Sequence, residues 1–483
     1  MDPAALALLT DFYELTMLGG YFETGRTGQR AVFDLYFRRI PHNGGFCLAA
    51  GLQPALEYLQ ALRFSADDIA YLRGLGRFSQ GFLDWLRDFR FRGEVWAVPE
   101  GRLVFPSEPL LRVSGTIPEC QLVESALLNI INFQTLIATK AARICTAAGP
   151  EATVVEFGLR RAQGIDGAMS ATRAAYIGGC QSTSNTLAGK VFGLPVTGTM
   201  AHSWVMSFPD ELSAFRAYAD IYPDSCLLLV DTYDTLGSGV PNAVRVGLEL
   251  KERGHRLLGI RLDSGDLAHL SKEARRMLDE AGLEFARIVA SNELDEWLIR
   301  SLRQQGARID IYGVGTRLVT SAGEPALGGV YKLVAAEEDG RTVPRIKVSS
   351  NPEKTTLPGV KQVWRAWRGG KILGDVICLA DEELQPRSAV RSCHPLYAHH
   401  SRTLWAEKWE PLLVPVMKDG RVTCELPPLE QIRQEALRQL ETLAPEHLRL
   451  TNPEVYWVGL SQALFDLRGR LIREAQEREE ARA

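Results

Sequence analysis

From residue 150 to 316 the chain alternates short apolar runs with amphipathic helical stretches. This alternation restricts the fold more than any other feature. "ATVVEFG" precedes helical "DGAMSATRAAYIGG", followed by "NTLAGKVFG", the "VTGTMAHS" stretch and helical "DELSAFRAYADIYP". "CLLLVDTYD" precedes "GVPNAVRVGLELKERG", and "RLLGIRLDSGD" precedes "LAHLSKEARRMLDEAG". "ARIVASN" precedes "ELDEWLIRSLRQQG", and "IDIYGVGT" closes the series. Strands alternating with glycine-closed helices predict a parallel sheet with helical crossovers. Near-continuous apolar strands predict a sheet covered on both faces. About six such units fit either a barrel or an open doubly wound sheet, and both bind ligands at the carboxyl ends of their strands.

Those ends are polar throughout. In order they carry Glu156, Phe157, Arg160 and Arg161; His202; Asp231 and Asp234; Arg261, Asp263 and Asp266; Ser291 and Asn292; Gly313, Gly315 and Thr316. Solubility alone does not put polar groups at every exit of a covered sheet, so one site is expected there. "YGVGT" is a glycine-rich turn that lets backbone N–H groups approach an anion, as at barrel phosphate sites. It lacks the P-loop pattern. The carboxylates of "DTYD" and "RLDSGD" suit Mg²⁺ held partly through water and substrate phosphate, or the hydroxyls of a sugar. Asp234 and Asp266 also stand where N-caps for the following helices are needed. Arg160 and Arg261 offer the fork that carboxylates and phosphates prefer. Phe157 could stack on an aromatic ring or pack in the core.

The rest of the chain falls into an N-terminal segment, 1–118, and a C-terminal one, 346–483, flanking the region 119–345. Asp2-Pro3 reads as a cap with proline at the first helical position. "FDLYFRR" alternates like a strand, and "EVWAVPEGRLVFPSEPLLRVSG" reads as short strands divided by turns. Residues 119–139 predict a long, buried helix. "QVWRAW" is strand-like, while 428–450 and 456–481 read as helical. Net charge is −4, which gives no electrostatic case for nucleic acid. Eight scattered cysteines without a CxxC predict reduced thiols and a cytoplasmic protein. No signal peptide and no membrane span are expected. Cys393, His394, His399 and His400 are suggestive of a metal only as composition, because no second paired cysteine is near.

The pieces "LLTDFYELTM", "EFGLRR", "GGCQSTSNTLAGK", "GTMAHSWVMSF", "LLVDTYDT", "IRLDSGDL", "IYGVGT", "GGVYKL" and "NPEKTTLPGVKQVWR" occur in this order. Together they resemble the nicotinate phosphoribosyltransferase family over nearly the full chain. The resemblance implies an irregular α/β barrel of the type II phosphoribosyltransferases, with an N-terminal α/β domain and a C-terminal extension. It also implies a homodimer with shared active sites. The reaction implied is nicotinate plus phosphoribosyl pyrophosphate giving nicotinate mononucleotide and pyrophosphate, coupled to ATP hydrolysis, with Mg²⁺.

By the same resemblance Phe157 matches the ring-stacking residue, and Tyr13 its partner from the other subunit. Arg261 would bind the substrate carboxylate or phosphate. Asp231, Asp263 and Asp266 would hold ribose hydroxyls and Mg²⁺. Gly313, Gly315 and Thr316, with Ser291 and Asn292, would cradle the 5′-phosphate. Lys332, Lys347 and Lys354 would supply counter-charge to pyrophosphate. His202 matches a histidine that ATP phosphorylates, a role open to neutral imidazole as a nucleophile. Two rivals stand beside this reading. Nicotinamide phosphoribosyltransferase shares the barrel and the histidine, but that family has an aspartate where this chain has Asn185, and the lack of an anion there favours nicotinate. The other rival is a barrel that binds a phosphate metabolite without catalysis; against it, every candidate position is filled.

Overall fold

A computed structural model describes residues 6–385, 387–397 and 399–481. The expected Asp2-Pro3 cap lies outside the described residues. The chain forms two compact units: 1–136 with 326–483, and 137–325. The strands of 346–483 therefore do not stand alone; Val414–Lys418 pairs with Glu94–Ala97.

The central unit carries six parallel strands: β1 (Thr153–Glu156), β2 (Ser182–Thr183), β3 (Leu227–Leu229), β4 (Gly259–Leu262), β5 (Arg287–Ala290) and β6 (Ile311–Val314). Their order is β2-β1-β6-β5-β4-β3. The first and last strands are neighbours and the order runs round a cycle, which is the ordering of a barrel rather than of an open doubly wound sheet. The ring is interrupted only between β2 and β3. There the expected "VTGTMAHS" strand is reduced to one parallel bridge, Thr183 with Val196. On its far side the Thr199 hydroxyl donates to the Leu227 carbonyl of β3. This is the irregular α/β barrel. Burial follows the apolar runs: Val154, Leu228, Ile260, Ile288 and Val314 are almost wholly enclosed.

Helices cover the barrel where glycine-closed stretches predict them, among them Ile165–Ile177, Val240–Glu252, Leu267–Glu280 and Glu296–Gln304. The long helix expected over 119–139 is two helices, Ile117–Leu122 and Glu124–Ala148. In the barrel unit Lys140 and Arg143 both meet the buried Glu296 carboxylate, at 2.8 and 3.1 Å.

The other unit is built on two large sheets, with a two-stranded ribbon of Cys47–Leu48 and Leu103–Val104 beside them. One has seven strands and includes Arg30–Phe37, Glu94–Ala97, Leu111–Thr116, Gly329–Glu338 and Val414–Lys418. The second has six and includes Lys361–Arg368 and Lys371–Leu379. The helix expected over 456–481 starts only at Gln462. Val458–Leu460 is instead a strand parallel to Asp375–Ile377. An Arg365–Asp375 pair at 2.7 Å lies fully enclosed in this unit.

Candidate active site

Adjacent exits of β1 and β6 build the first corner of the site. The Phe157 N–H donates to the Val314 carbonyl at 2.8 Å, extending the pairing one residue beyond β1. This lays the ring over Gly313, where a methyl group would stand 2.5 Å from Phe157 Cε2. A methyl at Gly315 would come within 3.1 Å of the Phe157 carbonyl oxygen. Gly313 is thus required by the Phe157 ring and Gly315 is crowded by its carbonyl, a reason separate from the expected phosphate cradle. Arg261, near the end of β4, places its guanidinium carbon 5.7 Å from the Phe157 ring centroid. A flat ring bearing an anion finds a stacking face and a cation in this corner.

The second corner is a carboxylate network. Arg261 donates from Nε to Ser291 Oγ and from Nη2 to Asp263 Oδ1, each at 2.8 Å. Ser291 Oγ in turn donates to Asp263 Oδ1. Asp231 Oδ2 accepts from the Asp263 N–H and from Ser264 Oγ, both at 2.7 Å. Asp231 Oδ1 is buried and has no hydrogen-bond partner among the described residues. An unpaired buried carboxylate oxygen is costly, and a bound cation or hydroxyl would satisfy it. The donor set therefore fits Mg²⁺ or ribose. Among the described residues no three His, Cys, Asp or Glu side chains form a closed metal cage.

His202 opens the short helix His202–Met206 at the β2–β3 interruption. Its Nδ1 lies 3.1 Å from Thr232 Oγ1. Its Nε2 lies 3.9 Å from Asp263 Oδ2, and the side chain is 41% exposed. The histidine, Asp231, Asp263, Arg261, Ser291, Phe157 and Gly313 are therefore linked by named contacts. Thr232 and Ser264 were not singled out by sequence, although both sit inside the motifs that were.

Other expected site residues have structural tasks. Asp266 caps the helix Leu267–Glu280, with Oδ1 accepting from Ala268 and His269 N–H at 3.0 and 3.1 Å. Asp234 likewise accepts from the Gly237 N–H at 2.9 Å. Asn185 is 1% exposed and caps Thr186–Phe192. Its Oδ1 accepts from the Ala188 N–H at 3.2 Å, and its Nδ2 donates to Thr172 Oγ1 at 3.3 Å. Arg160 is exposed on the turn Leu159–Arg161. Asn292 sits at φ 95°, a left-handed conformation that side chains seldom adopt. Its Oδ1 accepts from the Glu293 N–H. Thr316 donates to Glu293 Oε1 at 3.1 Å.

Tyr13, Lys332, Lys347 and Lys354 belong to the two-sheet unit. There Lys332 Nζ lies 3.8 Å from Glu124 Oε1. Tyr13 neighbours both Glu124 and the buried Glu14. Burial pushes the Glu14 carboxyl up to about 7, against hydrogen bonds from Thr10 and Ser125 that pull it down. Lys347 and Lys354 are exposed. Sequence reading missed Glu14 and Glu124, because each is one carboxylate on an otherwise ordinary helix.

Comparison with known proteins bears on this arrangement. Residues 8–132 match the nicotinate phosphoribosyltransferase (NAPRTase) N-terminal domain, 152–363 the nicotinate phosphoribosyltransferase (NAPRTase) family, and 360–468 the C-terminal domain. Nicotinate phosphoribosyltransferase of Bacillus subtilis is 45% identical, the match covering 98% of this chain and 96% of that protein. The human enzyme of the same name is 38% identical over 95% and 96%. The crystal structure of human nicotinic acid phosphoribosyltransferase superposes with a TM-score of 0.85 at 36% identity, over 96% of this chain and 99% of that one. The fold extends to nicotinate-nucleotide pyrophosphorylase of Pyrococcus furiosus, with a TM-score of 0.70 at 24% identity. With all three family models matched along one chain and relatives similar over nearly its full length, this protein belongs to the nicotinate phosphoribosyltransferase family.

Proposed function

We propose that this chain joins nicotinate to the phosphoribosyl group of phosphoribosyl pyrophosphate, releasing nicotinate mononucleotide and pyrophosphate in NAD salvage. The observation that carries this reading is the corner formed by Phe157, Gly313 and Arg261, next to the unpaired Asp231 oxygen. In it the pyridine ring stacks on Phe157 and Arg261 takes the carboxylate. The pyridine nitrogen lone pair forms the new bond to the ribose anomeric carbon, whose bond to the diphosphate oxygen breaks. No proton has to be removed, so positioning is the main demand on the protein. Asp231 and Asp263 hold the ribose hydroxyls. They would also hold Mg²⁺, which supplies charge neutralisation to the departing diphosphate. Ser291, Asn292, Gly313, Gly315 and Thr316 receive the 5′-phosphate.

His202 is the point of ATP coupling in this reading. Its imidazole attacks the γ-phosphorus; a nitrogen–phosphorus bond forms and ADP leaves. Thr232 beside Nδ1 supports Nε2 as the attacking atom. Water later attacks the phosphohistidine, returning imidazole and releasing phosphate. The active form is a cytoplasmic homodimer in which Tyr13 of one protomer completes the barrel site of its partner, while Lys332, Lys347 and Lys354 supply counter-charge to pyrophosphate. Eight free cysteines support a reducing compartment.

The test is pyrophosphate release with nicotinate and nicotinamide in parallel, each with and without ATP. Release with nicotinate, stimulated by ATP, is expected. Preference for nicotinamide would transfer the assignment to the amide-using family, and no release with either would leave a phosphate-binding barrel without catalysis.

A further inference from the structure

A cavity of about 660 Å³ opens in the two-sheet unit, and every residue lining it belongs to that unit. Metabolite pockets span roughly 300–1,000 Å³, so it is large enough for a small ligand. Its charge is one-sided: Arg38, Arg39, Arg402 and Arg468 line it against only Glu353 and Glu454. The Nε atoms of Arg38 and Arg468 are buried and have no hydrogen-bond partner among the described residues. Burial pulls the Arg468 pKa down, with Tyr36 opposing it, and the acceptor of its Nη1, the Pro395 carbonyl, is neutral, so its charge still calls for compensation. An anion with several acceptor oxygens would supply it.

The cavity also has an aromatic wall. The His394 ring lies 4.8 Å from Tyr397 at 30°, and Trp457 stands edge-on to it at 5.9 Å. His400 lies 5.8 Å from His394 and 5.5 Å from Trp457. This is the histidine cluster that composition alone offered as a metal site. His394 Nδ1 instead accepts from the N–H groups of Leu396 and Tyr397, at 3.1 and 3.2 Å. That lone pair is spent, and the ring is stacked with Tyr397 and His400, so the cluster is an aromatic wall rather than a set of metal ligands.

We propose that this cavity binds a nucleotide, with the phosphate on the arginines and the base against the His394–Tyr397–Trp457 wall. Neither feature alone selects this ligand class. A simple anion leaves the aromatic wall unused, and a neutral ring leaves the arginine excess and the two buried Nε donors unanswered. Pro352, Glu353 and Thr355 form part of the lining, so an occupant would touch the segment that carries Lys354.

The experiment is equilibrium dialysis of radiolabelled AMP against the full chain, with adenosine and inorganic phosphate as partial probes. Three proteins are compared: the parent, a His202→Ala/Asp231→Asn barrel variant, and a Tyr397→Ala/Arg402→Ala cavity variant. Tyr397 and Arg402 are exposed, so the fold is not threatened. We expect AMP bound by the parent and equally by the barrel variant, with a loss of about tenfold in the cavity variant and similar losses for each partial probe, about 1.4 kcal/mol each. Absence of AMP binding would overturn the proposal, as would binding lost in the barrel variant alone. Phosphate binding as tightly as AMP would reduce the cavity to an anion site and also overturn it.

Discussion

Phe157 and Gly313 occupy complementary space: the ring fills the volume that any Cβ at 313 would need, with Cε2 and Cδ2 at 2.5 and 2.6 Å from that point. Gly313 lies within β6 and is not needed for a left-handed turn. Its absent side chain is therefore a packing requirement of Phe157.

A Gly313→Ala substitution should force the Phe157 ring off this position and away from Arg261. The expected result is a KM for nicotinate raised about tenfold, a loss of about 1.4 kcal/mol of binding, with the KM for phosphoribosyl pyrophosphate much less changed. Steady-state kinetics with each substrate varied in turn decides it. Equal effects on both substrates would mean that the ring does not face nicotinate.

How far sequence reading reached depends on whether a residue's task is local or distant. The strand exits were legible, because period and polarity change at the same points. Asp231, Asp263, Arg261 and His202 could be picked out there without knowing their mutual distances. The identity of N-caps was half legible: Asp266 sits one residue before its helix, as a cap or a ligand would. Asn185 stands out in the sequence only by contrast with an aspartate in a related family; in the structure its amide is engaged by Ala188 and Thr172. Nothing local could reveal Thr172, thirteen positions earlier. The cavity between Arg38, Arg468 and Trp457 was invisible for the same reason, since its walls come from segments hundreds of residues apart.

Asn185→Asp follows from this geometry. Thr172 Oγ1 already donates to Glu156 Oε2 at 3.0 Å, and Thr183 Oγ1 to the same oxygen at 2.6 Å. A carboxylate at 185 can still cap its helix, but it loses the donor to Thr172 and sets a second buried anion near Glu156. We expect loss of stability on the order of 2 kcal/mol, the usual scale for an unpaired buried charge or lost buried donor. Activity on nicotinate falls with it. Thermal melting separates the two causes: an unchanged melting temperature with reduced nicotinate turnover would put the effect in the ring pocket.

Glu14 makes stability depend on pH. Its folded-state pKa is raised from 4.5 to about 7, mainly by burial, with Glu124 and Asp11 adding to the rise. The folded chain therefore binds more protons than the unfolded chain between those values. Stability should fall as pH rises through that window, by at most roughly 3.5 kcal/mol at about 1.4 per pH unit. Glu14→Gln should flatten this dependence. Melting temperatures compared at about pH 5 and about pH 8 check it; an equal slope in parent and variant would assign the titration elsewhere.

If the site is shared between protomers, a Tyr13→Ala chain and a His202→Ala chain should complement. Random exchange makes about half the dimers mixed, and each mixed dimer keeps one intact site. ATP-stimulated turnover should then recover to about a quarter of the parent value. Activity remaining at the level of the separate variants would place Tyr13 and His202 in sites of the same chain, or Tyr13 outside the site.

His202→Ala should keep the barrel and retain slow transfer without ATP, while ATP no longer stimulates it. The imidazole makes one contact with Thr232 and approaches Asp263 no closer than 3.9 Å, so its removal leaves the Asp231–Asp263–Arg261–Ser291 network intact. Transfer needs positioned substrates and a good leaving group, and the pyridine nitrogen is already a nucleophile. ATP can change substrate affinity only by interacting differently with two states of the site. A phosphohistidine provides that difference, because it adds nearly two negative charges beside Asp263 and the diphosphate position. The variant should thus bind phosphoribosyl pyrophosphate more weakly than the parent when ATP is present, and equally when it is absent. It should also carry no acid-labile, base-stable phosphate after incubation with labelled ATP. Phosphate retained on the variant, or full ATP stimulation, would remove His202 from the coupling and leave it as a partner of Thr232 alone.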